Sequence, residues 1–180
     1  MIENKNFYIG GKWVPPVKSN DFEVIDPSTE EAFAIISLGS IEDTDKAINA
    51  AKNAFETWKE TTKEERLKLL QKFDEIYNRR WDEMVKAQST EMGAPLDYSS
   101  ETHTQVGADI SKNIIKILKD FNFEYQFDVN SNNHIRHEPI GVCGLITPWN
   151  FPMNQIVLKV IPALACLLYT SPSPRDVLRS

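Results

Sequence analysis

Hydrophobic residues change their spacing along the chain, from short runs near the start to a helical period after about residue 40. Two short apolar runs flank Gly10-Gly11 and predict a β-hairpin, because glycine accepts the positive φ that tight turns need. Phe22–Ile25 and Ala32–Ser37 predict two further strands. The turn signal Asp26–Thr29 lies between them.

Capping signals and helical periodicity predict four helices in the next part of the chain. Ser40 with Asp43 and Thr62 with Glu65 each place a hydroxyl three residues before an acid, as a capping box requires. A third, shorter helix is predicted to end at Gly93. The fourth is predicted over residues 100–119. Its predicted inward-facing residues are Val106, Ile110, Ile114, Ile117 and Phe121.

The pattern then returns to strands before a last helix. Phe123–Phe127 and His134–His137 predict a hairpin around the turn Asn130–Asn133. Ile140–Ile146 is a continuous apolar run, which is typical of a buried strand. Pro152–Ala165 is apolar on several faces and predicts a buried helix.

The last fifteen residues, 166–180, do not continue the helical pattern. Their sequence resembles the in-frame translation of a common sequencing adapter. We therefore expect a non-native tail there and leave it out of the fold. A natural polar tail is the alternative.

Composition narrows the class of protein. The chain has 180 residues, 41% of them hydrophobic, with a net charge of −6, so one globular domain with a real core is expected. Because the sequence has no stripe of basic residues, we do not expect a nucleic-acid partner. The sequence shows no membrane-spanning stretch and no secretory signal. With only two cysteines, we expect no disulfide framework and a cytoplasmic location.

The stretch from Pro139 to Pro152 presents the side chains most suited to chemistry. Trp149, Asn150 and Phe151 follow the predicted strand, and ligands of α/β folds bind at the carboxyl ends of strands. The Asn150 amide is a neutral donor that suits an oxyanion hole. Alternatively, Asn150 only caps the following helix and the two aromatic residues belong to the core.

This stretch, Pro-Ile-Gly-Val-Cys-Gly followed by Pro-Trp-Asn-Phe-Pro, resembles the aldehyde dehydrogenase superfamily. The resemblance covers about residues 7–165 and favours the oxyanion role of Asn150 over the alternative of a helix cap. Further similar segments are Phe7–Trp13, Asp26–Thr29, Asp43–Ala47 with Ala51, Phe55 and Trp58, Glu64–Arg66, and Glu91–Pro95.

The resemblance implies an α/β fold, the N-terminal part of a Rossmann-type NAD(P)-binding domain. This partial domain would comprise residues 1–120 and 139–165, with an oligomerisation hairpin at 121–138. A homodimer or homotetramer is expected for the complete enzyme.

The implied reaction oxidises an aldehyde to a carboxylic acid. A cysteine thiolate attacks the aldehyde, hydride passes to NAD (NADP is possible), and the thioester is hydrolysed with help from a glutamate base. Asn150 would bind the oxyanion of the adduct. Ile146, Thr147, Pro148 and Trp149 would line the cofactor, and Phe151 and Gln155 the substrate tunnel.

Catalysis in the family that this chain resembles needs a nucleophilic cysteine and a glutamate base. No residue of this chain matches either of them, so we expect these 180 residues alone to be inactive. Cys143 lies before the motif and is expected to be a small core residue. No metal site is expected, and His103, His134 and His137 are expected to be solvated or in loops. A non-catalytic oligomerisation or binding module, and a semialdehyde or acylating relative, are the alternatives.

Overall fold

Short β-strands come first along the chain and helices follow, in a computed structural model that describes residues 1–129 and 132–166. Contacts divide the chain into two units, each described by itself below. The first comprises Met1–Glu60 and Arg80–Gln105, and the second comprises Thr61–Arg79 and the described residues from Val106 onward. This mixed α/β organisation agrees with the predicted fold class. The predicted boundaries of a cofactor domain stay a prediction.

Five strands belong to the first unit: β1 (Ile2–Asn4), β2 (Phe7–Ile9), β3 (Lys12–Val14), β4 (Asp21–Asp26) and β5 (Glu31–Ser37). The predicted hairpin is confirmed, because β2 pairs antiparallel with β3 and both Gly10 and Gly11 have positive φ. The predicted strands β4 and β5 also pair antiparallel. β1 was not predicted. It pairs in parallel with β5, so its existence depends on a distant partner.

Helix α1 (Ile41–Trp58) begins with the predicted capping box. The Ser40 hydroxyl accepts a hydrogen bond from Asp43 N, and the Asp43 carboxylate accepts one from Ser40 N. The carboxylate also accepts a hydrogen bond from Val17 N at 2.9 Å. Asp43 therefore fixes both the start of the helix and the chain segment that precedes β4, and these bonds lower its pKa.

Helix α3 (Trp81–Met92) ends at Gly93 in a left-handed conformation, as predicted. The following residues form the short helix α4 (Leu96–Tyr98) and a π-helical segment, Ser99–Thr104. Buried polar groups gather there. Gln88 donates a hydrogen bond to the Thr104 hydroxyl at 2.8 Å, and Trp81 donates one to the Ser100 hydroxyl at 2.9 Å.

His103 lies inside this polar region, so the expectation that it is solvated was wrong. Its ring packs edge-on against Tyr98, and only 3% of the residue is exposed. The wide π-helical turn changes the angular spacing of side chains, which a 3.6-residue period does not anticipate. Burial lowers the pKa of His103, because the charged imidazolium is poorly solvated there.

We expect His103 to make the stability of the complete protein depend on pH. Its pKa in the folded state lies below the ordinary value of 6.5. The unfolded chain therefore binds the proton first, and stability is lost as the pH falls from 6.5 towards the folded pKa. Thermal unfolding of wild type and His103→Gln at about pH 7.5 and about pH 5.5 measures this contribution.

The wild type should lose more thermal stability than His103→Gln between these two pH values. His134→Gln is the matched control, because His134 is exposed on a strand. An identical pH dependence in wild type and His103→Gln would contradict the expectation.

The second unit contains the helices α2 (Lys63–Arg79), α5 (Gln105–Asp120, whose first residue belongs to the first unit) and α6 (Pro152–Cys166). Helix α2 begins with the predicted capping box. Thr62 N donates to the Glu65 carboxylate, and Glu65 N donates to the Thr62 hydroxyl. Helix α5 begins five residues later than predicted, because the π-helical segment occupies its expected first turns.

The predicted inward face of α5 was wrong. Its buried residues are Gly107, Ala108, Ser111, Ile115 and Leu118. Ile117, which was predicted to face inward, is 48% exposed. Three of the buried residues are small, and a Cβ added at Gly107 would meet the buried Tyr77 ring. Contact with the Tyr77 ring of α2 therefore requires a residue without a Cβ at position 107, which a pattern of large apolar residues does not reveal.

The predicted second hairpin is confirmed by β6 (Glu124–Gln126), which pairs antiparallel with β7 (His134–Arg136). Asn130 and Ser131 of the predicted turn lie outside the described residues. The predicted tail also lies outside them from residue 167 onward, and helix α6 ends at Cys166.

Ile140–Ile146 does not form the predicted strand. Exposure still alternates along it, with Cys143 and Leu145 less exposed than Val142 and Ile146, as in an extended chain. A strand needs a partner for its backbone groups. Residues 1–129 and 132–166 provide none for this segment.

Helix α6 is present as predicted, but only one of its faces is buried. Val157, Ile161 and Ala165, four residues apart, are each fully buried. Ile156 and Leu158 are exposed. None of the helices in the described residues is long and apolar enough to cross a membrane.

Candidate active site

Six of the seven predicted site residues, Ile146–Phe151, are consecutive at the junction between an extended segment and α6, and the seventh, Gln155, lies in the first turn of α6. Ile146, Thr147, Pro148, Trp149 and Asn150 are all exposed, and Phe151 is half-buried. Ile146 is 89% exposed and Trp149 is 81% exposed. The structure therefore presents these side chains at a surface, as the sequence predicted, and does not place the aromatic Trp149 in a core.

Phe151, rather than Asn150, is the residue at the start of the helix. Its carbonyl accepts a hydrogen bond from Gln155 N at 2.9 Å, the first bond of α6. Pro152 follows at the first helical position, where a missing N–H costs nothing. The backbone of Phe151 has a φ of 55°, which is unusual for a bulky residue. Such strain is typical of functional sites.

Asn150 lies one residue before this cap, and it makes no hydrogen bond with the rest of the described chain. The alternative role of a helix cap is therefore not the one it has in this structure. An amide N–H₂ that is exposed and not engaged can donate to a ligand oxygen. Because the amide does not titrate, it can donate at any physiological pH.

The residues present fit a flat, largely apolar cofactor ring. The Ile146 and Trp149 side chains, three residues apart, are both exposed, and a Cβ added at Gly144 would meet no atom within 4 Å. The nearby backbone from Gly144 to Pro148 makes no hydrogen bond with the rest of the described chain. This surface thus offers apolar contact and available backbone donors together.

Gln155 and Cys143, which lie near this surface, each contact another group of the chain. The Gln155 amide oxygen accepts a hydrogen bond from Lys159 Nζ at 2.9 Å, one helical turn further on. The half-buried Cys143 has its Sγ 4.0 Å from the carbonyl oxygen of Gly141. Among residues 1–129 and 132–166, no three His, Cys, Asp or Glu side chains group in a way that could hold a metal ion.

The chain matches the model of a known protein family over most of its length. The model described as "Aldehyde dehydrogenase family" matches residues 13–176, which include the whole candidate site and extend past Ala165.

A curated relative, 3-succinoylsemialdehyde-pyridine dehydrogenase from a Pseudomonas species, is 42% identical over 96% of this chain. The match covers 36% of that relative, so the chain spans about a third of its length.

Solved structures agree with the family model. An aldehyde dehydrogenase from Bartonella henselae matches with a TM-score of 0.90 and 46% identity, over 99% of this chain and 39% of that one. A mutant of aldehyde dehydrogenase C from Pseudomonas syringae, in complex with NAD+ and octanal, matches with a TM-score of 0.87 and 36% identity. That match covers 91% of this chain and 33% of the other.

Proposed function

Since the chain belongs to the aldehyde dehydrogenase family, we propose that the complete protein oxidises an aldehyde to a carboxylic acid with NAD+. The observation that carries this proposal is the exposed, unengaged amide of Asn150, held next to the cap of α6. The bound cofactor would supply the hydride acceptor. NADP+ is the alternative acceptor.

We assign Asn150 the role of oxyanion donor. When a nucleophile adds to an aldehyde carbon, the carbonyl oxygen gains negative charge, and a fixed N–H donor stabilises that charge more than it stabilises the neutral aldehyde. Residues on both sides restrict the chain. Pro148 and Pro152 have fixed φ, and Phe151 is held in its left-handed conformation. The backbone that carries the amide is therefore restricted before the substrate binds.

The nucleophile proposed for the complete protein is a cysteine thiolate, which adds to the aldehyde carbon to give a tetrahedral adduct. Loss of the adduct's hydride, for which the bound cofactor would be the acceptor, would leave a thioester that water hydrolyses with a glutamate as base. Cys143 is a poor candidate for it. It lies before the motif rather than at the position of the family's nucleophile, and its Sγ faces the Gly141 carbonyl. In our proposal Cys143 contributes packing, and Phe151 and Gln155 contact the substrate.

Ile146, Thr147, Pro148 and Trp149 are proposed to hold the cofactor. Trp149→Ala in the complete protein should raise the KM for NAD+ about tenfold with kcat much less affected, because a ring that binds ground and transition states equally changes KM alone. Steady-state kinetics with varied NAD+ measure both constants. Trp13→Ala is the matched control, since Trp13 is also exposed but lies on the β2–β3 hairpin. An unchanged KM in Trp149→Ala would contradict the cofactor role.

A semialdehyde is the second candidate substrate, because the 42%-identical relative is named for one. Succinic semialdehyde and octanal distinguish the candidates, since one carries a carboxylate and the other an alkyl chain. A higher kcat/KM for succinic semialdehyde favours the semialdehyde. A higher value for octanal favours an apolar aldehyde.

The β6–β7 hairpin supports a proposal about assembly. Tyr125, Phe127 and Val129 are exposed on or next to it, and each of its two strands has one edge that no described strand covers. Uncovered edges with apolar side chains pair readily with another chain. We therefore propose a homodimer or homotetramer for the complete protein, with the hairpin in the interface. If the complete protein were not catalytic, this hairpin would instead support the alternative function of a non-catalytic oligomerisation or binding module.

A further inference from the structure

The first turn of α2 carries two cationic side chains that hydrogen-bond the ends of two other helices of its unit. Lys63 Nζ donates to the carbonyl of Lys119 at 3.0 Å and to that of Phe121 at 3.4 Å, at the end of α5. Arg66 Nη1 donates to the carbonyl of Ala165 at 2.9 Å, in the last turn of α6. The carbonyls of a last turn lack helical partners and carry partial negative charge, so a cation stabilises them.

Arg66 is held more tightly than Lys63. It is buried, its Nε donates to the carbonyl of Thr62 at 3.2 Å, and its guanidinium lies 4.5 Å from the centre of the Phe123 ring. The guanidinium therefore joins the start of α2 to the end of α6 by two hydrogen bonds from one rigid plane. A planar fork with several donors suits this geometry, whereas an ammonium on a flexible stem fixes only one direction at a time.

The loop that carries Asn150 depends on α6 for its position. Residues 144–150 make no hydrogen bond with other parts of the described chain. They are joined to α6 through Phe151, whose carbonyl accepts from Gln155 N, and through Pro152. Helix α6 is in turn held by its buried stripe, Val157, Ile161 and Ala165, and by Arg66 at its far end.

We propose that Arg66 is a positioning residue for Asn150, acting through the tilt of α6. The proposal rests on the oxyanion role assigned to Asn150 above. Fifteen residues make a helix about 22 Å long, so a change of tilt of about 3° moves one end by about 1 Å relative to the other. A misplacement of about 1 Å at a catalytic group can cost as much as about a hundredfold in rate.

The test uses the complete protein with octanal and NAD+. Arg66→Met should lower kcat about tenfold while the KM for octanal changes little, because the ground-state contacts to the alkyl chain remain. Arg66→Lys keeps the charge and one donor, so a smaller loss of kcat is expected. Lys63→Met is the matched control. It removes a helix-end cation from the same turn without touching α6, so it should lower thermal stability and leave kcat unchanged.

A double variant separates positioning from a merely structural role. If Arg66 acts through Asn150, Arg66→Met should change kcat by less than about twofold in an Asn150→Ala background. An equal loss of kcat in both backgrounds, or no loss in wild type, overturns the positioning role. If Arg66→Met does not fold, Arg66→Lys in the two backgrounds gives the same comparison.

The activity of Asn150→Ala distinguishes an error in the proposed function from an error in the positioning role of Arg66. If Asn150→Ala by itself oxidises octanal as fast as wild type, the oxyanion role is wrong, and the positioning role of Arg66 falls with it.

Discussion

Replacing Asn150 by alanine should lower kcat for aldehyde oxidation by the complete protein about 10²- to 10³-fold, the usual effect of removing one oxyanion donor. The amide is exposed, makes no hydrogen bond with the described chain, and precedes the capping residue of α6. Its loss therefore removes no contact that holds this part of the fold together. The effect should fall on kcat and kcat/KM together, because the donor acts only once charge develops on the oxygen.

Two controls make this result specific to the donor. Asn113→Ala removes another exposed asparagine side chain, on α5, and should leave kcat unchanged. The thermal stability of Asn150→Ala should match that of wild type, since the side chain is not packed. Turnover by Asn150→Ala within about twofold of wild type would be incompatible with an oxyanion role.

Replacing Gly107 by alanine should destabilise the second unit by about 1–2 kcal/mol. Alanine in a helix normally gains up to about 1 kcal/mol over glycine, but overpacking a core costs about 1–3 kcal/mol. The added Cβ would collide with Tyr77 Oη and lie 3.0 Å from Cζ of the same ring. Because Tyr77 is buried and cannot swing away freely, the collision should outweigh the gain in helix propensity. Thermal unfolding of the complete protein measures the loss.

A double-mutant comparison identifies the colliding atom. Tyr77→Phe removes Oη, so the combination with Gly107→Ala should be less unstable than the sum of the two single variants. Gly39→Ala is the matched control, since its Cβ would find only ordinary contact with Phe7 at 3.6 Å. Strictly additive losses in the combined variant would show that the Tyr77 hydroxyl is not responsible.

Features that depend on a few neighbouring residues were predictable from the sequence. The turn at Gly10-Gly11 needs two residues that tolerate positive φ, and both have it. The capping boxes at Ser40 and Thr62 place donor and acceptor three residues apart, and both form as predicted. In each case the interacting groups lie within one turn of each other, so tertiary packing does not decide the outcome.

Features that depend on distant partners were not predictable. Strand β1 forms only against β5, and Ile140–Ile146 stays unpaired although its composition is that of a buried strand. The buried face of α5 was predicted wrongly because the small residues Gly107, Ala108 and Ser111 are buried there, with Gly107 against the Tyr77 ring. His103 was misplaced because its burial depends on packing against Tyr98, which the spacing of histidines does not reveal.

The candidate site could be predicted only in part. Its place before α6 and the exposure of Trp149 and Asn150 agree with the prediction, whereas the buried strand predicted before the site did not form. The cap at Phe151 was missed, since a bulky residue with positive φ is rarely expected there. The contribution of Arg66 could not be seen in the sequence, because its acceptor, Ala165, lies 99 residues away.

The most direct test of the central claim is the initial rate of NADH formation by the complete protein with NAD+ and either octanal or succinic semialdehyde. We expect NADH to appear only when an aldehyde is present, in an amount equal to the carboxylic acid formed. If the folded complete protein forms no NADH with either aldehyde, and no NADPH when NADP+ replaces NAD+, the assignment of aldehyde oxidation to this chain and of oxyanion binding to Asn150 is contradicted.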